Sequence, residues 1–360
     1  MRIYKVLLLV VLVIVLAACG EASQEKVLKK LDKAWTGADG YEIEATMQMN
    51  TGTEPKTYKI EVWHSEPEFY KVEVRDENDV SQLILRNEEG VFVVTPSTNK
   101  SYKFQSEWPH KSSQAYLLEG LLQQIKSDKE AKMTEEDKAY VFVVGLEGDK
   151  SGLPAAKIEI DKKTLKPQQV ALLDESEKEQ VTITFDKTEY DSKHTKDDYA
   201  LDKYSENKEN EKGEAEESDA EAEAEEGDVK EADAEETDAE ESEAKPDTKD
   251  NAATYYPSVL LDAQLDDEQT IQQDGVNRTV LSYTGEKSFT LVQQPVTASN
   301  QLLPVFAAGE PAQVGAAIGA ITETSISWQQ DGKEFFIASS DLTMDELLQV
   351  AGSLVEGSLK

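Results

Sequence analysis

Apolar residues recur along this chain with two periods, and the points where the period changes divide it into elements. Val27, Leu28, Leu31, Ala34 and Trp35 share one face of a helix that Ser23 can cap and Gly37 can stop. From Tyr41 the period becomes two. Tyr41, Ile43, Ala45, Met47 and Met49 alternate with Glu42, Glu44, Thr46 and Gln48, the pattern of a strand with one wet face. Tyr58, Ile60 and Val62, then Tyr70, Val72 and Val74, repeat it on either side of a Ser65-Glu66-Pro67-Glu68 turn, which predicts neighbouring antiparallel strands. Shorter strands are predicted at 83–85, 91–94, 102–104, 140–144, 156–160, 168–173 and 181–185. A second helical stripe, Tyr116, Leu117, Leu118, Leu121, Leu122 and Ile125, interrupts them over 112–126, with Ser112 or Ser113 as its cap. About ten strands and two helices make this part α+β. The helices are the only large apolar elements available to cover the apolar face of the sheet.

The pattern then stops. Residues 205–251 hold 22 acidic and 5 basic residues, no aromatic residue, and Val229 as the single large aliphatic. Such a segment cannot bury enough apolar surface to offset its ordering entropy, so an acidic, disordered linker is expected there. Periodicity resumes after Tyr255-Tyr256-Pro257. Strands are predicted at 280–283, 289–292, 321–328 and 334–338, and the apolar 314–321 reads as a strand or a packed loop. A last helix follows, in which Thr343 and Glu346 have capping-box spacing. The division expected is therefore 1–18, 19–200, 205–251 and 253–360, the last a small α+β domain.

The beginning of the chain changes the functional picture. Arg2 and Lys5 precede an apolar run over 6–18, about 13 residues where a membrane span needs about 20. The run closes on Leu16-Ala17-Ala18-Cys19, the form of a bacterial lipoprotein signal, and Cys19 is the only cysteine in 360 residues. The expected mature chain begins at a lipid-modified Cys19. Its acyl chains would hold it on the outer face of the cytoplasmic membrane. A formal net charge of −36 excludes nucleic acid and electrostatic adhesion to anionic lipid.

Candidate chemistry is sparse. His64, His110 and His194 have no partners at metal-ligand spacing and are read as surface histidines, so no metal, no cofactor and no catalytic residue is assigned. Aromatic and methionine residues at regular periods are first of all core. On a curved, incompletely filled sheet, Met47, Met49, Trp63 and Leu121 would line an apolar pocket for an acyl chain or an apolar peptide.

The order of helix, strand at 41–49, Trp63-His64-Ser65-Glu66-Pro67-Glu68-Phe69-Tyr70 hairpin, Asn87-Glu88-Glu89-Gly90 turn and Thr95-Pro96-Ser97-Thr98-Asn99 turn resembles the LolA and LolB lipoprotein carriers over roughly residues 22–195. The resemblance implies a curved antiparallel half-barrel covered by two helices. The whole layout is similar to carrier-like lipoproteins of endospore-forming Gram-positive bacteria, which implies a role in sporulation or germination and a cell-wall enzyme as a candidate partner. A half-barrel followed by a smaller domain also resembles binders that restrain anti-sigma factors, so a regulatory module is the alternative. A cell-wall enzyme is the remote one.

Overall fold

The computed structural model describes residues 23–50, 55–78, 81–106, 108, 114–146, 153–204, 253–273, 275–299 and 304–357. Cys19, His110 and the acidic segment lie outside the described residues.

Helix α1 (Gln24–Trp35) starts at Ser23 and buries Val27, Leu31 and Trp35, its predicted face. Helix α2 (Leu118–Ser127) buries Leu118, Leu121, Leu122 and Ile125. Its N-cap is Leu117 rather than a serine at 112 or 113, because Gln114 to Leu117 form a separate turn in which the Leu117 N–H donates to the Gln114 carbonyl. Between and after the helices run β1 (Gly40–Met49), β2 (Lys56–Ser65), β3 (Phe69–Arg75), β4 (Ser81–Asn87), β5 (Gly90–Thr95), β6 (Lys100–Phe104), β7 (Lys132–Glu135), β8 (Ala139–Gly145), β9 (Ala155–Asp161), β10 (Pro167–Leu173) and β11 (Glu179–Tyr190). These eleven belong to one open sheet in the order β6-β5-β4-β3-β2-β1-β11-β10-β9-β8-β7.

Register carries the alternation across the sheet. Met47 pairs with Tyr58 on one side and Ile183 on the other, Ile183 pairs with Val170, Val170 with Ile158, and Ile158 with Phe142. A period of two keeps all six on one face, and that face packs against α1 and α2 in a single apolar core.

The C-terminal part forms a second sheet, β13-β14-β15-β20-β19-β18-β17. Its strands are β13 (Ala263–Gln273), β14 (Val276–Gly285), β15 (Phe289–Pro295), β17 (Glu310–Val314), β18 (Ala317–Ile321), β19 (Ser325–Gln330) and β20 (Lys333–Ala338). Helix α3 (Met344–Gly352) begins with the expected capping box: the Thr343 hydroxyl accepts from the Glu346 N–H and the Glu346 carboxylate accepts from the Thr343 N–H. A small ribbon of β12 (Tyr255–Pro257) and β21 (Leu354–Glu356) ties the two ends of this part together. The single strand expected at 321–328 is two strands, because the Thr322 hydroxyl accepts the Ser325 N–H and bends the chain back.

The C-terminal part is also joined to the first. Strand β16 (Pro304–Phe306) adds to the β6 edge of the large sheet, the one parallel pairing among the described strands, and makes that sheet twelve-stranded. The Gln82 side chain acts as a substitute peptide group: the Ile318 N–H donates to its Oε1 at 2.6 Å and its Nε2 donates to the Ile318 carbonyl at 3.1 Å. Ala316 and Ile318 thereby enter the core of the first sheet. At the rim, Lys56 meets Asp331 at 2.9 Å.

Candidate ligand cavity

A cavity of about 560 Å³ lies where the two parts meet. Strand β1 supplies Met47, Met49 and Asn50 just beyond it. Strands β10 and β11 supply Leu172, Gln180, Val181 and Ile183, and the segment before α2 supplies Trp108, Gln114, Ala115 and Tyr116. The C-terminal part closes it with Val259, residues Pro311 to Gln313 of β17, Gly315, Ile318, and Leu348, Gln349, Gly352 and Ser353 at the end of α3. Gly315 has a φ of 61°, in the left-handed region, and a Cβ there would stand 3.6 Å from the Met49 methyl. That contact is ordinary van der Waals packing, so it is the left-handed backbone of this turn, and not a shortage of space, that favours glycine.

The structure separates the four pocket residues named from sequence. Met47 and Met49 line the cavity. Leu121 is wholly buried in the core under α2 and is not in the cavity wall. Trp63 is on the opposite face of the sheet, as parity requires: Ile60, Val62 and His64 point inward, so Trp63 between Val62 and His64 points out. The lid residues were missed, since their proximity to Met49 arises from contacts more than two hundred positions apart in sequence.

His64 also departs from the surface role expected of it. It is buried, its ring stacked on Tyr70 at 4.2 Å and tilted against Tyr41 at 5.0 Å. A carbonyl can only accept, so the 3.1 Å contact from Nδ1 to the Phe69 carbonyl places the proton on Nδ1. Burial pushes its pKa down to about 4, outweighing the hydrogen bond to Phe69, and the Glu66 and Glu119 carboxylates stand 3.9 and 3.8 Å from Nε2. Glu119 accepts from the Tyr41 hydroxyl at 2.7 Å. Further along, Arg86 donates to the Trp108 carbonyl and pairs with Glu68, while the Trp108 indole N–H donates to Gln114 at 2.9 Å. Tyr70, stacked on His64, meets the Trp108 ring edge-on at 5.7 Å, so the two polar groups are joined through aromatic packing and the second ends at two residues of the cavity wall.

On the outer face, Trp63 stacks on His194 at 4.2 Å and carries the Lys71 ammonium 3.8 Å above its ring. Lys71 is buried between Glu61 and Glu73, at 3.5 and 3.3 Å. Burial works to raise Glu73, but the hydrogen bond from Arg75 and the charge of Lys71 leave its pKa lowered. The segment from His194 to Tyr204 straps this face, with Tyr199 wholly buried and Leu201 and Tyr204 packed on Leu83, Leu85, Phe92 and Val94. His194 is thus an aromatic partner rather than a free surface histidine. Among the described residues no group of three or more His, Cys, Asp or Glu side chains could hold a metal ion, and no helix is long and apolar enough to cross a membrane.

An open antiparallel sheet packed under helices and joined to a second sheet across a cavity, whose described wall residues carry no charge, defines an α+β fold of two sheets. The chain belongs to the Sporulation protein YdcC-like family, whose model matches residues 1–199. It is 34% identical to Sporulation protein YdcC of Bacillus subtilis (strain 168) over 351 residues, 97% of this chain and 95% of that one. Similar solved structures include the MucA/MucB complex of Pseudomonas aeruginosa, with 12% identity, a TM-score of 0.34 and 94% and 100% of the two chains covered. A LolA superfamily protein from Nitrosomonas europaea matches with 9% identity, a TM-score of 0.30 and 51% and 100% covered.

Proposed function

We propose that this sporulation-family protein is a non-catalytic, extracytoplasmic binding protein, anchored to the cytoplasmic membrane through Cys19, that holds an apolar ligand at the seam of its two parts. The observation that carries the reading is the 560 Å³ cavity, whose size is that of small-ligand sites and whose wall joins the flexible thioethers of Met47 and Met49 to Leu153, Leu172, Val181, Ile183 and Leu348. Among the described residues of that wall there is no carboxylate, imidazole, amine or thiol that could move a proton or attack a bond. Met49→Trp fills the space beside Gly315 and is expected to abolish binding of a fluorescent acyl-chain probe while leaving the circular dichroism spectrum unchanged. A native chain that binds no such probe sinks the ligand reading. The anchor is tested separately: Cys19→Ala is expected to remove palmitate labelling and release the protein from membranes, and unchanged membrane fractionation refutes it.

A protein partner, as a cell-wall enzyme or as the target of a regulatory module, is the second reading. It is favoured by β16, where Val305 and Phe306 are 60% and 71% exposed at the edge of the large sheet.

A further inference from the structure

In a chain of net charge −36, helix α1 carries four lysines among its 12 residues. At about 100° per residue, Lys26, Lys29, Lys30 and Lys33 fall within one arc of roughly 100°, on the side of the helix opposite the buried Val27, Leu31 and Trp35. All four are exposed. The two acids of the helix, Glu25 and Asp32, stand at the flank of that arc and are each paired, Glu25 with Lys29 at 2.8 Å and Asp32 with Lys126 of α2. The outward surface of α1 is therefore cationic. The net charge, from which no electrostatic adhesion to lipid is expected, describes the whole chain and not this face. Of the 73 acidic residues 22 lie in 205–251, and exposed charges are screened beyond about 8 Å at physiological salt. Position in the chain points the same way. Cys19 precedes Gln24, the first residue of α1, by five positions, which an extended chain spans in at most about 18 Å. A lipid on that cysteine would hold α1 within reach of the headgroups, where a polybasic face is the usual second signal beside an acyl chain.

We infer that α1 lies along the membrane with its lysine arc on anionic headgroups, so that the helices sit between the bilayer and the large sheet and the strap on the outer face points away. The inference rests on the Cys19 anchor proposed above and adds to it an orientation and a lipid charge. To test it, the lipid-modified full chain is floated with vesicles of phosphatidylcholine alone or of phosphatidylcholine mixed with phosphatidylglycerol, then treated with an amine-acylating reagent and read lysine by lysine by mass spectrometry. Labelling of Lys26, Lys29, Lys30 and Lys33 is expected to fall at least about threefold on the mixed vesicles and to recover in high salt. Lys196, exposed on the strap, is expected to be labelled equally on both. Changing the four together, as Lys26→Gln, Lys29→Gln, Lys30→Gln and Lys33→Gln, is expected to leave the circular dichroism spectrum unchanged. That variant should pass to acceptor vesicles about tenfold or more faster than the native chain from mixed donors, and at the native rate from phosphatidylcholine donors. Equal labelling of α1 on the two vesicles, or unchanged transfer from mixed donors, overturns the membrane face and leaves the anchor standing. A native chain that floats with neither vesicle overturns the anchor itself.

Discussion

The two faces of the large sheet bury comparable aromatic residues by different physics. Inside, Tyr41, Ile43, Met47, Val62, Ile158 and Ile183 meet helices and the lid in a core stabilised by removal of apolar surface from water. Outside, Trp63 is covered by a short strap that brings His194 onto its ring, and the paired charges of Lys71, Glu61 and Glu73 lie beside it. Face is decided by parity and not by residue type. A tryptophan one place out of step with its strand's apolar set belongs to the outer, ionic face.

Four measurements test that contrast, in descending order of effect. Leu121→Asp buries an unpaired carboxylate in the inner core, and the expected loss of several kcal/mol abolishes cooperative urea unfolding; a native-like transition would mean the inner face is open to water. Second is the inner polar pair of His64. Its folded pKa of about 4 lies below the ordinary 6.5, so the unfolded chain takes up the proton first. His64 burial costs nothing above about pH 6.5, and stability falls between pH 6.5 and 4, by about 2 kcal/mol at pH 5 and about 3 at the acid limit. His64→Phe should flatten that part of the stability profile relative to the native chain, and an unchanged slope would assign the acid sensitivity elsewhere.

Third, on the outer face, Lys71→Met leaves Glu61 and Glu73 without their shared cation, and about 1–3 kcal/mol is expected, with the pKa of Glu73 rising in a carboxyl NMR titration. Arg75 still holds Glu73, which keeps the loss below that of the inner substitution. An effect larger than that of Leu121→Asp would reverse the contrast. Smallest is Lys196→Ala, which removes the exposed pair with Glu88 on the strap; less than about 0.5 kcal/mol is expected by thermal unfolding.

The inner face was largely legible in sequence. The alternation in β1, β2, β3, β9 and β11 and the stripes of α1 and α2 each fall on the residues that are buried. What escaped notice lacks such a contrast. Strand β13 is a polar run at a sheet edge, β7 has no buried residue, and β16 is three exposed residues held only by its neighbour β6. The strap was missed because Tyr199, Leu201 and Tyr204 follow neither period. Of the cavity, sequence offered Met47 and Met49 through their parity. Trp63 was chosen for its chemistry against its parity, and Leu121 belongs to a stripe that a helix buries entirely.

The clasp between Gln82 and Ile318 joins residues 236 positions apart. The methionine wall is complete at Ile183, 135 residues before Ile318, so at about 5–20 residues per second it is synthesised roughly 7–27 s before the lid strand. The cavity is therefore made in two instalments, an open trough first and an enclosure later. The two hydrogen bonds between Gln82 and Ile318 are therefore the point at which early and late parts of the chain are matched, and a break anywhere between them would leave the trough without its cover.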